Sequence, residues 1–123
     1  MPELHPAAPG SSYATVAGPL AFTGGQAPRR PDGSVPDDLD EQVTLVLDNL
    51  EAALALVGAK LSQVVHLRAY AVDRDALRAW VRLRTPRLAG ATPAATTVLV
   101  AGLGDPRWRL EVEATACIVA GGS

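Results

Sequence analysis

The stretch Arg109-Leu110-Glu111-Val112-Glu113-Ala114-Thr115-Ala116-Cys117-Ile118-Val119 changes character at every residue. Leu110, Val112, Ala114, Ala116 and Ile118 fall on one side of an extended chain, and Glu111, Glu113, Thr115 and Cys117 on the other. Such a strand buries one face under another layer and leaves the second face polar. The covering layer has to come from helices elsewhere in the chain.

Two helical segments answer that need. From Leu39 to Val57, the residues Leu39, Val43, Val46, Leu47, Leu50, Leu54 and Val57 lie on one stripe at helical spacing. Asp38 with Glu41 forms a cap signature ahead of it, and Gly58 is placed to end it. A second helix follows Asp73-Arg74-Asp75 and runs through Leu77, Trp80, Val81 and Arg84. It weakens at Thr85-Pro86, because a residue before proline avoids the helical region.

The remaining strands read as Tyr13–Val16 and Leu20–Thr23, a hairpin about Ala17-Gly18-Pro19, then Val64–Val72 and Ala95–Val100. In Val64–Val72, Val65, Leu67, Ala69 and Ala71 alternate with His66, Arg68 and Tyr70. Gly24 to Pro36 is loop, with a turn at Pro31-Asp32-Gly33. The order is β-β-α-β-α-β-β, an α+β domain over residues 13–120 behind an irregular lead-in of residues 1–12. Two helices cover one face of a mixed sheet, and the other face is expected to meet partner subunits.

Composition narrows the function classes. A chain of 123 residues, 48% of them hydrophobic, makes one domain. Aromatic residues are only 4%, so the core is Leu, Val and Ala, for which shared surfaces in an oligomer are a natural supplement. A net charge of −2 gives no general attraction to nucleic acid or anionic lipid. The uncharged run Leu88 to Gly104 is shorter than the about 20 residues of a membrane helix and contains Pro93 and glycines. Cys117 is the single cysteine, so no internal disulfide forms. The first residues lack a secretion signal, and the cytoplasm is the expected compartment. No Cys, His and carboxylate set has metal-ligand spacing, and no cofactor is expected. Gly24-Gly25 is not a phosphate loop, since no Gly-Lys-Ser/Thr or opening helix follows.

Several pieces occur together in order: Gly25-Gln26-Ala27-Pro28, Glu41-Gln42 through Asp48-Asn49-Leu50, Val64-Val65 with Asp73, Pro93-Ala94, and Leu110-Glu111-Val112-Glu113-Ala114. From Tyr13 to Val119 the chain resembles the Rid superfamily, the RidA, YjgF or UK114 group with a chorismate-mutase-like fold. The resemblance implies a homotrimer with a central barrel and a small-molecule cleft at each subunit boundary. It also implies hydrolysis of reactive enamines or imines, such as 2-aminoacrylate, to the 2-oxo acid and ammonia without a cofactor. In that chemistry an arginine fork holds the substrate carboxylate and a second carboxylate positions water.

Carried over residue by residue, the water-positioning glutamate is Glu111, the cleft hydroxyl is Thr97, the lining glycine is Gly25 and the pocket tyrosine is Tyr13. The segment from Tyr13 to Gly18 is about two residues shorter than the usual hairpin. The chain also departs from the family where polar grip is needed. Ala95 stands in place of the arginine, Gly24 in place of a common serine, and Val81 in place of a common asparagine. An arginine hydrogen bond to a carboxylate contributes about 1.5–3 kcal/mol, which alanine cannot replace. Activity on the ordinary imino acids is therefore expected to be altered or reduced unless another cation reaches the cleft. Arg68, Arg84, Arg87 and Arg107 are the candidates by position.

Each candidate also has a structural reading. Glu111 is either catalytic or a polar residue facing the trimer barrel, and Glu113 is structural. Thr97 is either a cleft hydroxyl or an ordinary strand residue. His66 lacks partners for a general base. Arg74, Arg78 and Arg82 form a solvated helix face, and Cys117 reads as buried and inert. Two functions remain in contention, an imine or enamine hydrolase with a less polar substrate and a non-catalytic ligand-binding or regulatory trimer. A nuclease is disfavoured by the acidity and by the missing His or metal site.

Overall fold

The structure, a computed structural model, describes residues 3–118. Val119 and Ala120, at the end of the expected last strand and domain, lie outside the described residues. Strands β1 (Ala14–Ala17), β2 (Leu20–Thr23), β3 (Val64–Ala71), β4 (Ala94–Leu99) and β5 (Leu110–Cys117) are interleaved with helices α1 (Leu39–Ala55) and α2 (Arg74–Arg87). This is the expected order in an α+β domain. The sheet runs β1-β2-β5-β3-β4, with β3 and β4 parallel and every other pair antiparallel. Gly18, at φ +57°, opens the two-residue turn of the first hairpin, a conformation that suits glycine.

Strand β5 sits between β2 and β3, and its alternation is realised residue for residue. Leu110, Val112, Ala114 and Ala116 are buried, while Glu111, Glu113, Thr115 and Cys117 are half-buried on the opposite face. Cys117 is thus less enclosed than a core thiol. Above the buried face lie Val43, Val46, Leu47, Leu50 and Leu54 of α1 and Ala76, Ala79 and Trp80 of α2. Asp38 caps α1 by accepting the Glu41 N–H at 3.0 Å. The far end closes with Gly58 at φ +78°, where Ala59 N–H reaches Leu54 O at 2.9 Å, so Val57 lies past the helix.

Two expectations are corrected. Helix α2, expected to weaken at Thr85-Pro86, runs through it to Arg87. Pro86 lies in the last turn, where its missing donor leaves one carbonyl without a helical bond. The Thr85 hydroxyl meanwhile donates to Val81 O at 3.0 Å, and Leu88 N–H reaches Arg84 O at 3.2 Å. In β3 the alternation holds only from His66 onward. A register break between Val64 and His66 turns Val65 out to 45% exposure and buries Val64 instead.

The solvated reading of the α2 arginines also acquires a partial structural role. Arg78 pairs with Asp75 at 3.3 Å on the surface, and Arg82 crosses to Asp40 of α1 at 2.8 Å.

Candidate functional site

The sheet ladder breaks just after β2, and a site is built at the break. Thr23 Oγ1 accepts the Ala114 N–H at 3.0 Å, and the chain rejoins β5 only at Gln26, which exchanges two backbone bonds with Val112 at 2.8 and 3.0 Å. Gly24 and Gly25 bow out between these points. The bow carries Gly25 across the Glu111 carboxylate, where a Cβ would meet Glu111 Oε2 and stand 3.0 Å from its Cδ. A side chain at residue 25 would displace the Glu111 carboxylate, so glycine suits the position through close approach and not through backbone angle.

Helix α1 holds the surrounding loops through two buried polar side chains. Asn49 Nδ2 donates to Ala27 O at 2.8 Å and to Arg29 O at 3.1 Å, which fixes the segment leaving Gly25. Gln42 Nε2 donates to Pro36 O and Arg107 O, both at 2.9 Å, and its Oε1 accepts the Arg109 N–H at 3.0 Å. Trp108 is therefore clamped from both sides. Arg29 lays its guanidinium over the Trp108 ring, 5.6 Å from the centroid.

These elements enclose a pocket of about 50 Å³ lined by Tyr13, Gly25, Gln26, Arg29, Trp108 and Glu111, with Leu4 and His5 of the lead-in, Ala27 and Asn49 completing it. Such a volume holds about three waters or one small polar head. Glu111 accepts no hydrogen bond among the described residues. Burial pushes its carboxyl above the ordinary glutamate value, and the nearby Glu113 charge adds to the rise while Arg29 opposes it. The Tyr13 hydroxyl and Trp108 Nε1 are buried and likewise lack partners among the described residues. The pocket thus combines a bare carboxylate, a cation and two uncommitted donors.

Glu113 behaves differently, although it shares a face with Glu111. It accepts the Tyr70 hydroxyl at 2.6 Å, a bond that also pushes the Tyr70 phenol above its ordinary value. That carboxylate is committed to the sheet.

Of the residues singled out from the sequence, the structure brings Tyr13, Gly25 and Glu111 together, with Gly24 beside them in the bow. Ala95, Thr97 and Val81 are elsewhere. Glu111 pairs with Tyr70 of β3, whereas Ala95 and Thr97 of β4 pair with Leu67 and Ala69, which belong to the helix-covered face. They are two strands away, about 10 Å across the sheet, and on its other side. Val81 is 42% exposed on α2.

None of the four candidate cations lines the pocket. Arg68 borders an open-face groove with Phe22, His66 and Glu113, and Arg84 stacks on Trp80 at 5.8 Å. Arg87 is tied to Asp48 at 2.9 Å. Arg107 is held by Asp105 at 2.8 Å, and that pairing draws the Asp105 carboxyl down to about 2. The cation at the pocket is Arg29, which sequence reasoning missed because it lies in a loop one residue past the Gly-Gln-Ala-Pro motif. Among the described residues, no group of three or more His, Cys, Asp or Glu is placed to hold a metal. No helix there is long and apolar enough to cross a membrane.

The family model described as endoribonuclease L-PSP matches residues 2–118. Protein mmf2, mitochondrial, of Schizosaccharomyces pombe is 30% identical over 107 residues, 85% of each chain. Among solved structures, Escherichia coli TdcF with bound serine superposes at TM-score 0.83 with 27% identity, covering 95% of this chain and 97% of that one. Mycobacterium tuberculosis Rv2704, a member of the YjgF/YER057c/UK114 family, superposes at 0.79 with 29% identity, covering 89% and 88%.

Proposed function

The chain belongs to the Rid superfamily, the family described as endoribonuclease L-PSP, and we propose that it hydrolyses a small reactive imine or enamine in clefts shared between copies of a homotrimer. The observation that carries the reading is the bare, half-buried Glu111 carboxylate held over Gly25 beside uncommitted donors.

The chemistry needs little more. Glu111 in its charged form accepts a proton from water as the water oxygen bonds to the imine carbon. That proton passes to the nitrogen to give a carbinolamine. Glu111 then carries the carbinolamine's hydroxyl proton to the nitrogen as the carbonyl forms and the carbon–nitrogen bond breaks, and a carbonyl compound and ammonia leave. A raised carboxyl value suits this task, because it makes Glu111 a better base than an exposed glutamate once ionised. TdcF, a relative with serine bound, supports a ligand of about three carbons. The separation of Ala95, Thr97 and Val81 from Glu111 within one chain supports a cleft completed by a neighbour, since only a second copy can bring the two groups together.

The test is hydrolysis of 2-aminoacrylate and of larger imino acids generated in situ, by the wild type and by Glu111→Gln. Turnover is expected in the wild type and a loss of at least about a hundredfold in the variant. Equal turnover in both would remove Glu111 from the mechanism. A ligand-binding trimer without catalysis is the second reading, favoured by the polar groups absent at Ala95, Gly24 and Val81. It gains if no imine turns over while a small carboxylate raises the melting temperature.

A further inference from the structure

We propose that Arg29 is this chain's anchor for a small carboxylate, supplied from the loop after β2 in place of the β4 arginine that Ala95 lacks. The inference rests on the pocket beside Glu111 being the ligand site.

Arg29 lines that pocket and, among the described residues, makes no ion pair. Its charge favours the ionised forms of the nearby Asp105 and Glu111 carboxyls without a direct ion pair to either. Its guanidinium carbon lies over the Trp108 ring, 5.6 Å from the centroid, and Asn49 fixes its carbonyl at 3.1 Å. A cation–π contact uses none of the guanidinium N–H groups as hydrogen-bond donors, so they remain available for bidentate carboxylate recognition.

Tyr13 and Trp108, which line the same pocket, also carry a hydroxyl and an indole N–H that are buried with nothing to donate to among the described residues. Buried donors left unpaired are unfavourable, so acceptor oxygens beside this cation would be welcome. A carboxylate supplies them. Its neighbour in the same small volume, Glu111, then faces the ligand's proton-bearing or electrophilic carbon end. The class of ligand is a short 2-oxo, 2-imino or 2-amino acid, and its neutral amide is excluded.

Calorimetric titration of the full chain with sodium pyruvate and with pyruvamide tests this. Pyruvate is expected to bind at least about tenfold more tightly than pyruvamide, and Arg29→Gln to weaken pyruvate about ten- to a hundredfold with pyruvamide unchanged. Arg29→Lys should recover part of the loss, and circular dichroism should show both variants folded. Pyruvate binding through Arg29 with no imine turned over would leave the anchor standing and overturn hydrolysis. Wild-type pyruvate affinity in Arg29→Gln, or equal affinity of the wild type for acid and amide, would overturn the anchor even if hydrolysis is observed.

Discussion

Glu111 and Glu113 stand two residues apart on one face of β5, yet only the second is hydrogen-bonded, to Tyr70. The difference has a measurable signature. Because Glu111 is raised above 4.5 in the folded state, the folded chain holds that proton more tightly than the unfolded chain does. Its contribution to stability is therefore present below the unfolded value and is lost as pH rises through the folded one. Glu111→Gln is expected to melt higher than the wild type at neutral pH, with the gap closing as pH falls below the ordinary glutamate value. A gap that stays constant with pH in calorimetric scans would remove burial as its cause. Hydrolysis should show the complementary trend, with an acid limb above the ordinary glutamate value as Glu111 ionises. Arg29→Gln should move that limb to still higher pH, since Arg29 favours the charged form.

At the scale of elements, α1 is both a core helix and the bracket of the site. Its apolar stripe was readable from spacing alone, because Val43, Val46, Leu47, Leu50 and Leu54 all fall on the buried side. The same reading passed over Gln42 and Asn49, which are equally buried. A signal was present: two amides seven residues apart share a helix face with that stripe, where water cannot satisfy them. What spacing could not supply was the identity of their partners, which are loop carbonyls and one N–H distant in the chain. The Val65 register break and the passage of α2 through Pro86 escaped for a related reason, since both depend on tertiary pairing and not on local preference. Asn49→Ala tests the bracket. It strands the Arg29 carbonyl and leaves Ala27 O only the Arg29 N–H, so the melting temperature should fall by about 3–8 °C. Pyruvate binding should weaken in the surviving folded fraction as Arg29 loses its mooring, and unchanged affinity there would separate the bracket from the site.

For the whole molecule, the family and the order of elements along the chain were legible because they are written in motifs and alternation. The cleft was not, because its expected residues divide between two sides of one sheet. Tyr13, Gly25 and Glu111 meet at the ladder break, while Ala95 and Thr97 occupy the helix-covered side of β4. If a threefold assembly joins these halves, light scattering should return about three times the chain mass of 12.7 kDa. Mass alone would not show that a site is shared, but complementation would. Glu111→Gln disables one half, and Ala95→Glu, at an exposed position, sets a negative charge against a carboxylate ligand in the other. Each variant alone should be inactive. When the two are unfolded together in equal amounts and refolded, about one site in four draws its Glu111 and its Ala95 from chains that carry each intact. Hydrolysis should therefore return to about a quarter of the wild-type rate, and simple mixing of folded variants should recover far less until subunits exchange. A co-refolded sample as inactive as its parents would mean that each site lies within one chain, and the separation of the two halves would then need another explanation than a shared cleft.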